Sequence, residues 1–171
     1  YRKEDGIHVQ TIRDQIIEVD KSGRVVDVWD LTKILVPMRD SLLGALDAGA
    51  VCVNVDLAHA GQQAKLEPDT PYGDALGVGA GRNWAHVNSI AFDAKDDAII
   101  ISSRHQGVVK IGRDKQVKWI LAPSKGWNKA LASKLLKPVD DKGNALKCDE
   151  NGKCENTDFD FTYTQHTAWL S

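Results

Sequence analysis

The sequence predicts an all-β fold of short antiparallel strands with a few short helical insertions. Two observations on the 171-residue chain lead to this class. The apolar runs, such as residues 98–101, are strand-length, and polar turns that contain Gly or Asp separate the predicted strands. Helical spacing of apolar residues is confined to residues 31–48, which Pro37 interrupts, and to residues 127–136, which end before Pro138.

The first predicted element is a hairpin. Residues 16–19 and 24–29 are rich in β-branched and apolar residues, and the segment between them, Asp20-Lys-Ser-Gly23, has the composition of a tight turn. A related pattern recurs later, where Val109-Lys-Ile111 precedes a polar turn and Val117-Lys-Trp119. The two segments form a weak internal repeat of strand, turn and strand.

Residues 89–121 predict four strands in succession, at 89–92, 98–102, 108–111 and 116–121. Four short antiparallel strands in a segment of this length are the size of one propeller blade. The chain is too short to form one of the larger closed propellers, so we predict that it is an arc, a few neighbouring blades, of such a propeller. We expect it to be a segment of a longer protein.

The predicted organisation treats residues 1–171 as one partial propeller domain. Residues 82–122 form one full blade, residues 123–162 are an insertion between blades, and residues 163–171 begin the next blade. The blade's first strand would line the central channel, so the entry positions of neighbouring blades would converge there.

Composition excludes several classes of function. The chain has 22 Lys and Arg against 24 Asp and Glu, and this balance lacks the basic character of a general nucleic-acid binder. No apolar run has the length that a membrane span needs. The glycines of residues 77–81 are not followed by the Gly-Lys-Ser/Thr of a phosphate loop, so no nucleotide cofactor is expected. The five histidines lack metal-binding spacing, and no metal is expected.

Cys148 and Cys154 lie six residues apart in a polar loop that contains Asn151-Gly152. Such a turn can bring the two sulfurs together, so a surface disulfide is one interpretation, and it would imply an oxidising compartment. A metal knuckle is the other, although it requires two more soft ligands that the neighbouring sequence does not offer. Cys52 lies between valines and is interpreted as a small buried hydrophobe.

Two histidines occupy matched positions. Trp84-Ala-His86-Val-Asn-Ser-Ile90 opens the predicted blade, and Thr164-Gln-His166-Thr-Ala-Trp-Leu170 has the same layout at the start of the next. Arg104 ends the second strand of the same blade. Two imidazoles and a guanidinium suit an anionic, tetrahedral substrate, because Arg offers a planar fork of donors and His can donate, accept or attack. The alternative is that the residues after this strand are ordinary turn residues.

Three segments together resemble the bacterial arylsulfate sulfotransferases that need no nucleotide donor. They are Asn83-Trp-Ala-His-Val-Asn-Ser-Ile90, Ile101-Ser-Ser-Arg-His-Gln-Gly107 and Tyr163-Thr-Gln-His-Thr-Ala-Trp169. The loop from Cys148 to Cys154 is also similar to the family's. The resemblance implies a six-bladed β-propeller, a homodimer, a periplasmic location and a disulfide that periplasmic thiol-oxidising enzymes would form.

The resemblance also implies roles for individual residues. His166 matches the nucleophilic histidine that becomes transiently sulfated, and His86 matches an acid/base that contacts the phenolic oxygen. Arg104 and Asn88 match the groups that hold the sulfuryl oxygens. His59 matches no role. The expected reaction moves a sulfuryl group from a phenolic sulfate donor to a phenol acceptor with ping-pong kinetics. The alternatives are a non-catalytic propeller scaffold and a sulfate-ester hydrolase.

Overall fold

The computed structural model describes residues 14–37, 39, 84–161 and 165–169. The chain divides into two compact units, one of residues 1–13 and 37–84 and one of residues 14–36 and 85–171. In the first unit Arg39 and Trp84 are buried. The strands and helices given below belong to the second unit, which consists mainly of antiparallel strands. The all-β prediction is therefore confirmed.

The predicted hairpin is present. Strand β1 spans Gln15–Val19 and pairs antiparallel with β2, Val25–Asp30, across the Gly-containing turn. One face of the hairpin buries the cross-strand pair Ile16 and Trp29. Helix α1, Leu31–Ile34, follows directly. It is the first of the helical pieces predicted over residues 31–48, of which 38 and 40–48 lie outside the described residues.

A four-stranded sheet follows. Its strands are β3, Val87–Asp93; β4, Ala98–Ser103; β5, Gly107–Gly112; and β6, Val117–Leu121. Each strand pairs antiparallel with the next, in the order β3-β4-β5-β6. The four predicted strands are confirmed in number, order and position, with ends that differ by one or two residues.

The two central strands carry the core of this sheet. Every residue of β4 and β5 is buried, in keeping with their largely apolar sequences, whereas β3 and β6 include half-buried and exposed residues. Lys110 is the charged exception on β5. Its ammonium lies 2.5 Å from carboxylate oxygens of both Asp93 and Asp96. The hydrogen bonds to Asp93 and Asp96 raise the pKa of Lys110, so the lysine is paired and charged within the sheet.

The hairpin is anchored to the turn between β5 and β6. The indole Nε1 of Trp29 donates to the Gly112 carbonyl oxygen at 3.0 Å, and this bond is buried. The Lys115 ammonium lies 3.7 Å from the centroid of the indole ring and also contacts Asp27 at 2.5 Å. Arg113 joins the same turn to Glu18 at 2.6 Å. A buried hydrogen bond, a cation–π contact and ion pairs thus hold the two sheets together.

The outer edge of β6 is partly covered by the segment that follows the sheet. Helix α2, Lys129–Ala132, begins after Asn128, whose side chain caps it by accepting a backbone N–H at 2.9 Å. The chain then runs beside β6, where Ile120 donates to the Lys134 carbonyl and accepts from the Leu136 N–H, both at 2.8 Å. The helix predicted over residues 127–136 is therefore too long, because these backbone groups bond to the sheet edge instead. Both helices of the described ranges are single turns, and neither is long and apolar enough to cross a membrane.

Cys148 and Cys154 form a disulfide that closes a small hairpin. The Asp149 carboxylate shapes the turn between them, accepting the N–H groups two and four residues later at 2.9 Å. Turns of the same form, Asp-x-x-Gly-x, close residues 20–24 and 140–144. The disulfide prediction is confirmed, and the metal-knuckle interpretation is wrong because both thiols are used.

Candidate functional site

The candidate site lies at the end of the sheet where β3 begins and β4 ends. His86 immediately precedes β3, and Arg104 immediately follows β4. The Arg104 N–H donates to the His86 carbonyl at 3.1 Å, and the next N–H along the chain donates to the Ala85 carbonyl at 3.4 Å. These bonds join two segments that are 18 residues apart in sequence. His86 has a φ of +50°, a left-handed conformation that non-glycine residues adopt at some cost.

Asn88 lies at an irregularity in the β3–β4 pairing. Val87 is opposite Ser103 and Ser89 is opposite Ser102, so Asn88 has no residue directly across from it. A bulge of this kind changes the direction of the side chain it carries. The Asn88 amide Nδ2 donates to the Gln165 carbonyl oxygen at 2.7 Å. The bulge thus brings β3 into contact with a segment 77 residues later in the chain.

The segment of residues 165–169, which carries His166, lies beside β3 and β4. Ser102 Oγ donates to the Gln165 carbonyl at 3.3 Å, and the Gln165 side-chain amide donates to the Ser103 carbonyl at 2.9 Å. The Ala168 N–H donates to Ser89 Oγ at 3.3 Å. His166 itself is exposed within the described part of the chain. The His166 side chain is therefore accessible, while the preceding residue, Gln165, is held by hydrogen bonds to the sheet.

The two histidines at the start of β3 and after β4 contact each other. The ring centroids of His86 and His105 are 5.5 Å apart, and the two ring planes are nearly perpendicular. Burial lowers the pKa of His86, and the charges of Arg104 and His166 lower it further. Burial, His86 and Arg104 lower the pKa of His105 to about 4. Both imidazoles are therefore neutral at neutral pH and can donate or accept hydrogen bonds there.

Several polar atoms at this end of the sheet are buried without a hydrogen-bond partner among the residues that the structure describes. They are Asn88 Oδ1, His105 Nε2 and Gln165 Oε1. Buried polar atoms are normally paired, and exceptions are often explained by function. Across residues 14–37, 84–161 and 165–169, by contrast, no group of three or more His, Cys, Asp or Glu side chains has the arrangement of a metal site.

The structure thus brings the four predicted site residues, His86, Asn88, Arg104 and His166, to one end of the sheet. His59 and the glycines of residues 77–81 lie outside the described residues. Gln165 and His105 lie at the same end of the sheet, although neither was predicted to be a site residue. Their sequence signal was limited to adjacency, since each is next to a predicted site residue, and adjacency does not reveal a long-range hydrogen bond.

A site with two imidazoles, a guanidinium and a side-chain amide at the end of a β-sheet is suited to an anionic, oxygen-rich ligand. The family model named Arylsulfotransferase (ASST) matches residues 1–171. The chain therefore belongs to the arylsulfotransferase family.

Two curated relatives are similar along the whole of this chain. It is 87% identical over 171 residues to a protein of Lelliottia amnigena and 85% identical to one of Escherichia coli O6:H1. Both relatives carry the name arylsulfate sulfotransferase AssT. The chain spans 29% of the length of each.

Proposed function

We propose that the full-length protein is a sulfotransferase that moves a sulfuryl group from a phenolic sulfate ester to an acceptor phenol. The observation that carries this proposal is the grouping of His86, Arg104 and Asn88 with the His166 segment at one end of the sheet. Membership of the arylsulfotransferase family and the names of both relatives support the class of reaction.

In the proposed reaction, Arg104 and Asn88 hold the sulfuryl oxygens of the donor. Sulfuryl transfer, by analogy with phosphoryl transfer, passes through a loose transition state with negative charge on three equatorial oxygens. The guanidinium of Arg104 presents several N–H donors in a fixed plane, and the Asn88 amide has a second N–H besides the one that contacts Gln165. Donors fixed in advance stabilise this charge without reorganising during the reaction.

His166 acts as the nucleophile. Its unprotonated ring nitrogen attacks sulfur, the bond between sulfur and the phenolic oxygen breaks, and the electron pair leaves with the phenolate. The product is an N-sulfohistidine. The oxygen of the acceptor phenol then attacks the same sulfur, the N–S bond breaks, and its electron pair returns to the imidazole. The two half-reactions give ping-pong kinetics. No step uses a nucleotide or a metal ion.

His86 handles the proton of the acceptor. Because its pKa lies below the ordinary value, it is neutral and can remove the proton from the attacking phenol. In the first half-reaction its ring N–H donates a hydrogen bond to the departing oxygen. Phenols have a pKa of about 10, so a phenolate leaves with little assistance, whereas an alkoxide does not. This difference favours aryl donors and acceptors.

The architecture of the full-length protein is part of the same proposal. We propose a six-bladed β-propeller in which residues 82–122 form one blade, residues 123–162 an insertion between blades and residues 163–171 the start of the next. The four-stranded antiparallel sheet and the neighbouring position of residues 165–168 support this arrangement. We further propose a periplasmic homodimer. The disulfide supports an oxidising compartment with thiol-oxidising enzymes.

One assay with 4-nitrophenyl sulfate distinguishes the proposed transferase from the two alternatives, a sulfate-ester hydrolase and a non-catalytic scaffold. A transferase releases nitrophenol continuously only when a phenol acceptor is present. A sulfate-ester hydrolase releases it with or without the acceptor, and a non-catalytic scaffold releases none. Continuous release without an acceptor would contradict the proposed transfer.

Mass spectrometry tests the nucleophile directly. Full-length protein given the donor alone and quenched at neutral or alkaline pH should carry a sulfuryl adduct on the peptide that contains His166. His166→Asn should abolish the adduct, because an amide cannot form the intermediate. His86→Asn should slow its formation without preventing it. Thr167→Ala is the matched control, since it changes an exposed neighbour in the same peptide. An adduct on His86, or sequential kinetics, would overturn the assignment.

A further inference from the structure

Gln165 bonds to the sheet at two points. Its backbone carbonyl accepts hydrogen bonds from Asn88 Nδ2 at 2.7 Å and from Ser102 Oγ at 3.3 Å. Its side-chain Nε2 donates to the Ser103 carbonyl at 2.9 Å. The donors and acceptor come from the start of β3 and the end of β4. We call these three hydrogen bonds the Gln165 clasp.

The clasp acts on His166 through the peptide bond between the two residues. The Gln165 carbonyl oxygen lies in the same plane as the nitrogen and the Cα of His166, because a peptide unit is planar. Two donors that hold this oxygen therefore hold the whole peptide plane, and with it the position of the His166 Cα. The side-chain bond to Ser103 prevents residue 165 from sliding along the sheet. His166 is exposed, so its own side chain has fewer packing constraints.

The clasp has a feature that stability alone does not explain. Gln165 Oε1 is buried and lacks a hydrogen-bond partner within the described part of the chain. A buried, unpaired acceptor destabilises the folded state, and an apolar residue of similar length would not have this atom. The side chain thus retains a donor in a fixed place at the expense of an unpaired acceptor.

We propose that Gln165 is a positioning residue for sulfuryl transfer, and that its clasp to Asn88, Ser102 and Ser103 aims the His166 ring at the sulfur. This inference rests on the proposed function, in which His166 is the nucleophile. It gives Asn88 a second task besides contact with the sulfuryl group. It also gives Ser102 a task, since its hydroxyl shares the Gln165 carbonyl.

The test compares Gln165→Met with the native full-length protein in single-turnover reaction with 4-nitrophenyl sulfate. Methionine has a similar length but cannot donate to Ser103. Small misplacements of reacting groups reduce rates by up to about 100-fold, so adduct formation on His166 should slow by about 10- to 100-fold. The final extent of labelling should be unchanged, because the nucleophile is intact. Damage to folding would instead lower the extent and leave the rate of the folded fraction unchanged.

Ser102→Ala is the second variant, in case Gln165→Met does not fold. It removes one hydroxyl from a buried position with little change of shape, and the loss of one hydrogen bond should slow adduct formation by about 2- to 10-fold. Ser102→Thr keeps the hydroxyl and should restore most of the rate, and Thr167→Ala should match the native protein. Native rates in both Gln165→Met and Ser102→Ala, or a lowered extent alone, would overturn the inference. If the native protein forms no adduct, the proposed function itself fails.

Discussion

Replacing Gly107 with alanine should destabilise the protein far more than the same replacement at Gly143. Both glycines have positive φ, +106° and +83°. A Cβ at Gly107 would lie 2.5 Å from the Leu121 carbonyl oxygen and 2.8 Å from the Ala122 Cβ. A Cβ at Gly143 would meet no atom within 4 Å. Both variants carry a cost of backbone conformation, which is larger at the φ of Gly107, and only Gly107→Ala adds the cost of close approach.

The expected magnitudes follow from these distances. A left-handed conformation costs a non-glycine residue about 1–2 kcal/mol, of which the more restricted unfolded chain of alanine offsets about 0.4–1 kcal/mol. Gly143→Ala should therefore cost about 1 kcal/mol. Overpacking against a backbone adds about 1–3 kcal/mol, since Leu121, the last residue of β6, and the adjoining Ala122 must move. Gly107→Ala should cost about 2–5 kcal/mol in total, with the conformational strain at its larger φ included.

The assay is urea unfolding of the full-length variants, followed by tryptophan fluorescence. Trp84 and Trp29 are both buried and should report the transition. Gly107 also follows the turn that carries Arg104, so its displacement should lower turnover in folded Gly107→Ala, while Gly143→Ala should retain native turnover. Equal losses of stability in the two variants, within about 0.5 kcal/mol, would refute the close-approach reasoning.

Three further predictions concern the site and the disulfide. Arg104→Lys should lower kcat by about 100-fold with a smaller change in KM, because lysine keeps the charge but loses the planar array of N–H donors. Steady-state kinetics that show only a raised KM would instead make Arg104 a substrate-binding residue. Replacing both Cys148 and Cys154 with serine should lower the unfolding free energy by about 2 kcal/mol, whereas two freely alkylated thiols in unreduced periplasmic protein would contradict the disulfide. The lowered pKa of His105 means that the unfolded state binds the proton first, so stability should fall as pH drops from 6.5 towards 4. In a pH series of unfolding midpoints, His105→Phe should weaken this loss, and an identical pH profile would refute it.

The strands and turns could be predicted from the sequence because their causes are local. The β-branched residues of β1 and β2, the apolar residues of β4 and β5, and the Gly-containing turns are signals that depend on neighbouring residues only. The loop between the two cysteines, with its Asn-Gly pair, was also a local signal, and the disulfide followed from it. The length of α2 could not be predicted, because residues 134–136 pair with an edge strand that their own sequence does not specify.

The fold class, the four strands and, through resemblance to a family, the residues proposed to carry the chemistry could all be predicted before the structure was known. How those residues are held depends on the tertiary structure. It joins His86 to Arg104 through a backbone hydrogen bond, lowers the pKa of His105 by burial, and bonds Gln165 to Asn88 across 77 residues of chain. Burial and hydrogen bonding between distant segments depend on which surfaces meet when the chain folds. No short stretch of sequence specifies these contacts, because the local pattern of one segment is compatible with many different partner segments.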